Sequence, residues 1–207
     1  MQSSPRTERT LERAQIGKIS VLAEGDMAEI TGKKTICEGR FLRFVAVAYV
    51  DSSGATREWE FFERVNCQGI VVIVPVTDDE EVLLIRQFRP PVNNYVVEFP
   101  AGLNDQGETL EEAARRELIE ETGYSAKEMI FLAEGPLSSG ASAETLTAYL
   151  AKGIEFIGIG ERDETEEIEV LRIPVDDLFQ KLSLFRTQGD YVDLKILGLL
   201  MLARRRL

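Results

Sequence analysis

Apolar positions along this chain fall into runs of differing period, and the periods predict its elements. Residues 1 to about 35 are polar and weakly periodic, which predicts a loose or partner-dependent arm. FLRFVAVAYV (41–50) is dense in aromatic and β-branched residues. DSSGAT (51–56) is a turn cluster, and REWEFFER (57–64) alternates charged with apolar positions. Together they predict a β-hairpin. Beyond Asn66, GIVVIVPV (69–76), VLLIRQF (82–88) and YVVEF (95–99) read as strands, some apolar enough to be buried on both faces.

A helix is predicted over about 109–121. Thr109 stands where it can cap that helix, with Glu112 three residues on as in a capping box, and Gly123 lies just past the last turn. A strand near 129–134, a Pro/Ser/Gly loop (136–143) and the strand TLTAYLA (145–151) follow. The acidic loop ERDETEE (161–167) precedes a strand, IEVLRIPV (168–175), then a helix opened by Asp176 and Asp177, and a last helix over about 190–204. The apolar run LKILGLLML of that last helix is expected to pack on the core. Strands first, with helices inserted between later strands, predict an α/β (α+β) chain. Residues 1–66 are read as an arm and a β-rich subdomain, and residues 67–207 as the larger domain.

Composition narrows the function. The 207 residues carry 24 Lys and Arg against 36 Asp and Glu, a formal charge of −12, which opposes binding to a nucleic-acid backbone. There is no apolar run near 18 residues and no apolar core of a leader, so neither a membrane span nor secretion is expected. Cys37 and Cys67 cannot build a disulfide framework and suit a reducing cytoplasm. Histidine is absent, which removes Ser-His-Asp and Cys-His mechanisms and His-ligated zinc. An enzyme of this composition works with carboxylates, metal or both.

Glu117, Glu120 and Glu121 stand at i, i+3 and i+4, so their carboxylates share an arc of roughly 100° on the predicted helix. A solvated face is the simple reading, and Arg116 supplies an i+4 partner for Glu120. Glu117 and Glu121, however, are a like-charge i,i+4 pair that costs a few tenths of a kcal/mol. A divalent cation would turn that liability into a ligand set, and an oxygen-only site suits Mg²⁺ or Mn²⁺. Spacing alone leaves both readings open.

The wider spacing is more specific. Gly102, five residues, Glu108, seven residues, then Arg116-Glu117-Leu118-Ile119-Glu120-Glu121-Thr122-Gly123-Tyr124 resembles the Nudix box, with only Tyr124 replacing the usual aliphatic at its last position. The resemblance implies the Nudix αβα sandwich and hydrolysis of a nucleoside diphosphate linked to another group. It implies Mg²⁺, with Mn²⁺ as a substitute, held by Glu117 and Glu121 with help from Glu120 and the Ala101 carbonyl. Arg116 and Glu108 would orient those ligands.

Beyond the box, EGRF (38–41), REWEFFER (57–64), RQFRPP (86–91) and VVEFPAGL (96–103) resemble segments of ADP-ribose and ADP-sugar pyrophosphatases. That resemblance implies Phe41 and Trp59 as an adenine sandwich, often shared across a homodimer through the N-terminal subdomain. It implies Arg64 and Arg89 on the phosphates or terminal ribose, Glu98 beside the site, and Glu166 or its neighbour Glu164 as the base. Ser142 and Glu144 keep the subfamily's S-x-E arrangement. Read without the resemblance, Phe41 and Trp59 are core residues and the two arginines surface ones. Where the subfamily commonly has Pro-Gly, sixteen and seventeen residues beyond the box glycine, this chain has Ser139-Gly140. The expectation is a cytoplasmic ADP-ribose or ADP-sugar pyrophosphatase yielding AMP and a sugar phosphate. Another nucleotide sugar such as GDP-mannose, or a non-catalytic nucleotide-binding module, is the alternative.

Overall fold

Three sheets and three α-helices form among the described residues, which in this computed structural model are 27–104, 107–158 and 167–207. The first sheet has the order β1-β2-β3, from strands Glu29–Glu38, Leu42–Val50 and Thr56–Arg64. The hairpin predicted at 41–64 is therefore present. Its turn is held by the Asp51 carboxylate, which accepts from the backbone N–H groups of Ser53 and Ala55, while Gly54 supplies a φ of +81°. The segment Glu29–Glu38, most of which falls within the expected loose arm, is instead strand β1, exposed along all ten residues. An edge strand is held by its ladder hydrogen bonds and needs no apolar period, so the hydropathy pattern carried no sign of it.

By compactness the chain divides into two units, one drawn from Met1–Lys33 and Val47–Trp59 and the other from Lys34–Ala46 and Glu60–Leu207. The two sheets and three helices described next belong to the second.

Its sheets are both mixed. One has the order β7-β4-β9-β8, from Ala101–Leu103, Ile70–Pro75, Thr145–Phe156 and Tyr124–Pro136. Strand β4 runs antiparallel to β7 and parallel to β9, and β8 returns antiparallel to β9 with a register shift between Phe131 and Ala133. The other has the order β10-β5-β6-β11, from Ile168–Pro174, Glu81–Arg89, Asn94–Glu98 and Tyr191–Val192, with only β11 parallel to its neighbour.

All six residues of β4 are buried, as its unbroken apolar run predicts. Val71 and Ile73 face Ala113, Ala114 and Leu118 of helix α1 (Leu110–Thr122), whose two alanines leave room for close packing. Val72 and Val74 face the larger core, joined there by Val82, Leu84 and Val97 and by residues of α2 (Leu178–Gln188) and α3 (Lys195–Ala203). Each such buried side chain contributes about 1.5–3 kcal/mol. The architecture is α+β with a β-rich N-terminal part. Among the described residues no helix is long and apolar enough to cross a membrane.

Helix α3 begins with the apolar run, about five residues later than the expected start near 190. Gly189, at φ +102°, ends α2, and the next carboxylate, Asp190, takes two hydrogen bonds from Arg86. The chain then extends as β11 before turning into α3. A 3₁₀ turn, Val175–Asp177, leads into α2, and neither aspartate caps that helix through its side chain.

Candidate active site

Helix α1 starts on the capping box its sequence predicts. Thr109 Oγ1 accepts from the Glu112 N–H at 3.2 Å, and the Glu112 carboxylate accepts from the Thr109 N–H at 2.7 Å. Gly123 closes the helix in the left-handed region at φ +79°. The loop leading into α1 is tied down by the buried Asn104. Its N–H donates to Gly69 O and its amide to Glu108 O, each at 3.0 Å. Asn104 was not singled out from sequence, since an asparagine in a loop carries no mark of burial.

With α1 so fixed, its acidic face turns toward β7. Glu121, only 4% exposed, accepts from the Ala101 N–H at 2.8 Å. Glu117 reaches into the space over Gly102, where any side chain on that residue would stand. Between the carboxylates lies Arg116. Its guanidinium donates to both Glu108 oxygens at 2.7 and 3.2 Å, to Glu117 at 2.8 Å, to Glu120 at 3.0 Å and to the Leu103 carbonyl at 2.9 Å. These carboxylates, Glu108 foremost, raise the arginine above its already high ordinary pKa against the opposing effect of burial.

A cavity of about 570 Å³ opens beside this face. Ala101, Arg116, Glu117 and Glu121 line it from β7 and α1, and Arg64, Arg89 and Glu98 from the surrounding strands. Arg64 Nε donates to Glu144 Oε1 at 2.6 Å, and Glu144 also accepts from Ser142 Oγ at 3.0 Å. The loop carrying that pair is hung on β3 through Phe62, whose N–H donates to Ala141 O at 3.0 Å while its carbonyl accepts from the Ala143 N–H at 3.1 Å. Arg89 Nε donates to Glu98 Oε1 at 2.7 Å. Both arginines are thus anchored at a cavity wall.

Seven of the residues singled out from sequence therefore border one cavity. Glu144 lines a smaller adjoining hollow of about 190 Å³ that shares Arg64. Glu108 and Glu120 are not lining residues of the cavity and are held by Arg116. Phe41 and Trp59 are 64% and 49% exposed, so neither is a core residue. Glu164 and Glu166 lie outside the described residues. Asp193 and Lys195 also line the cavity and were not foreseen.

Chemically, the acidic wall offers oxygen donors alone. Among the described residues no three acidic side chains converge on a single point, because Arg116 spans them. The set still fits a hard divalent cation in kind: a buried carboxylate, a second one over a glycine, and a nearby main-chain carbonyl. Glu117, Glu121, Glu120 and the Ala101 carbonyl are the groups that would hold it.

Comparison with known proteins places the chain. The NUDIX domain family matches residues 68–194. The chain is 41% identical over 106 residues to the ADP-sugar pyrophosphatase of Mus musculus, covering 47% of this chain and 49% of that protein. To the ADP-ribose pyrophosphatase of Bacillus subtilis it is 36% identical over 116 residues, 56% of this chain and 63% of that one. The matched part thus spans about half to under two thirds of these relatives. The ADP compounds hydrolase NudE of Escherichia coli is 29% identical over 153 residues, 74% of this chain and 81% of the relative. A solved structure of an ADP compounds hydrolase superposes with a TM-score of 0.72 at 27% identity, over 86% of this chain and 93% of that one.

Proposed function

The chain belongs to the NUDIX family, and from that premise we propose that it hydrolyses the pyrophosphate bond of ADP-ribose or a related ADP-sugar, giving AMP and a sugar phosphate such as ribose 5-phosphate. One observation carries this reading. A single cavity joins an acidic wall, Glu117 and Glu121, to two anchored arginines, Arg64 and Arg89. A diphosphate needs both, cations against its charge and carboxylates to bring a divalent ion to it.

The ion is Mg²⁺, with Mn²⁺ able to substitute. Held at the acidic wall, such an ion would supply positive charge against the diphosphate and would lower the pKa of a nearby water. The protein's own groups do the rest. Glu117, Glu120, Glu121 and the Ala101 carbonyl are the ligand donors, and Arg116 with Glu108 keeps them in register. Arg64 and Arg89, fixed by Glu144 and Glu98, orient the phosphates or the terminal ribose as planar donors. Water adds to one phosphorus as the bridging oxygen leaves with the other phosphate, and the water's proton passes to a carboxylate. Glu166, or its neighbour Glu164, is assigned that base. Phe41 and Trp59, both exposed, are assigned to stack on the adenine.

All four box glutamates are present, which argues against a module that binds without cleaving. We place the enzyme in the cytoplasm, as a homodimer built through the N-terminal segment (1–66), with residues 67–207 as the hydrolase domain. In support, β1 is exposed throughout, Ile30 and Ile36 included. The acidic chain is not assigned a nucleic-acid or membrane partner.

The test is phosphate release in a phosphatase-coupled assay with Mg²⁺, comparing ADP-ribose, ADP-glucose, GDP-mannose and NADH. Preference for ADP-ribose or ADP-glucose supports the proposal. Preference for GDP-mannose keeps the metal wall and moves the specificity. Silence on all four overturns the proposal.

A further inference from the structure

The cavity has a second wall that the reaction outlined above does not use. Strand β11 pairs parallel with β6, Val192 beside Val97, so the next residues along, Asp193 and Glu98, come to the same edge. The Asp193 N–H donates to Val97 O at 2.9 Å, continuing that ladder by one step. Asp193 Oδ1 accepts from the Lys195 N–H at 2.8 Å, which turns the chain into α3, and Oδ2 takes the Lys195 ammonium. Both side chains line the cavity, as do Arg89 and Glu98.

This corner is therefore built of two acids and two bases, each base on its own acid. Its formal charge cancels. At its Asp193–Lys195 end a diphosphate gains little, because the Asp193 carboxylate opposes what Lys195 attracts. Sugar hydroxyls gain more, since each both donates and accepts. Asp193 offers acceptors only, and Lys195 three donors on a flexible stem. The Lys195 side chain is 38% exposed and tied to one carboxylate two residues away, an ion pair of little structural worth. Its place on the cavity wall is not explained by stability.

We propose that Asp193 and Lys195 form the subsite for the hydroxyl-bearing terminal sugar of the nucleotide sugar, and that Lys195 is a specificity-determining residue. The proposal rests on the cavity being the substrate site. Asp193 shapes the start of α3, so Lys195 is the residue to change.

The experiment is calorimetric titration, with Mg²⁺, of wild-type protein and Lys195→Met. The probes are ADP-ribose with a methylene group in place of its bridging oxygen, which cannot be cleaved there, and α,β-methylene ADP, which lacks the sugar. Lys195→Met is expected to weaken the sugar-bearing analogue roughly tenfold, the loss of one hydrogen bond to a charged group, and the sugar-free one less than twofold. An equal loss on both probes, no loss on either, or no binding of either by the wild type overturns the subsite. Hydrolysis of ADP-ribose by the same preparations separates the two proposals. Sugar-dependent binding without hydrolysis sinks the activity and leaves the subsite standing. Hydrolysis with Lys195→Met unchanged on both probes does the reverse.

Discussion

Gly102 and Glu117 occupy one space. A Cβ on Gly102 would lie 1.9 Å from both the carboxyl carbon and Oε1 of Glu117. The two residues are fifteen apart in the chain and on different elements, and the absence of a side chain on one fixes where the carboxylate of the other can sit.

Gly102→Ala should therefore disable the site without unfolding the protein. The clash is with the far end of a flexible side chain, so the backbone need not move, but the carboxylate must leave its place. Turnover with Mg²⁺ is expected to fall about a hundredfold or more, a cost of some 2.7 kcal/mol in the barrier. The thermal midpoint should stay within a few degrees. A fully active Gly102→Ala protein would remove Glu117 from the ligand set.

Glu121→Gln keeps an oxygen to accept from Ala101 N–H and removes a charge. Folding should survive and kcat should fall by orders of magnitude, with the Mg²⁺ concentration for half-maximal activity shifted upward. Activity within a few-fold of wild type would show that the acidic face is only a solvated one.

Arg116→Ala leaves Glu108, Glu117 and Glu120 without the guanidinium that now bridges them. Unfolding free energy in denaturant should drop by about 1–3 kcal/mol, the cost of unmaking hydrogen bonds to charged groups that are partly screened by solvent. Millimolar Mg²⁺ should restore part of the loss in the variant and add less to the wild type.

The capping box gives a pH signature. Hydrogen bonds from the Thr109 N–H, and then from its hydroxyl, hold the Glu112 carboxyl below its usual pKa. A lowered folded-state value means the unfolded chain binds the proton first. The contribution is thus present above the ordinary carboxylate range and is lost as pH falls through it to the folded value. The stability gap between wild type and Glu112→Gln should be constant near neutrality and shrink below about pH 4.5. A gap that does not change with pH would mean that the carboxylate's charge contributes nothing.

Trp59 is half-exposed, so Trp59→Ala should change stability by no more than about 0.5 kcal/mol. If the indole stacks on adenine, KM for ADP-ribose rises several-fold while kcat stays. A collapse in stability with normal binding by the folded fraction would return the residue to a structural role.

What was legible in the chain was local. The period from Leu110 to Thr122, the Thr109–Glu112 spacing and the closing Gly123 are short-range features, and a helix obeys them wherever it packs. The carboxylates of α1 could be assigned to one arc on the same basis, and the unbroken apolar run of β4 marked a strand that could be buried on both faces. The box spacing carried the family. The strand β1 was not legible, because its residues are exposed and its stability comes from the neighbouring strand. Nor was β11, two residues long, which the reading of a last helix over about 190–204 took as part of that helix.

By itself, then, the sequence determined the helix that bears the acidic face, since that follows from residue spacing. It also determined what the chemistry must do without, having no histidine. Only the tertiary structure decided what else meets that face. Arg64 reaches Glu144 across eighty residues, and Asp193 reaches the edge of β6 through a backbone hydrogen bond to Val97. Contacts of that kind depend on how strands pair. Which strands pair is decided by how buried faces from distant segments fit together, and backbone hydrogen bonds, nearly the same for every residue type, mark no partner in the chain.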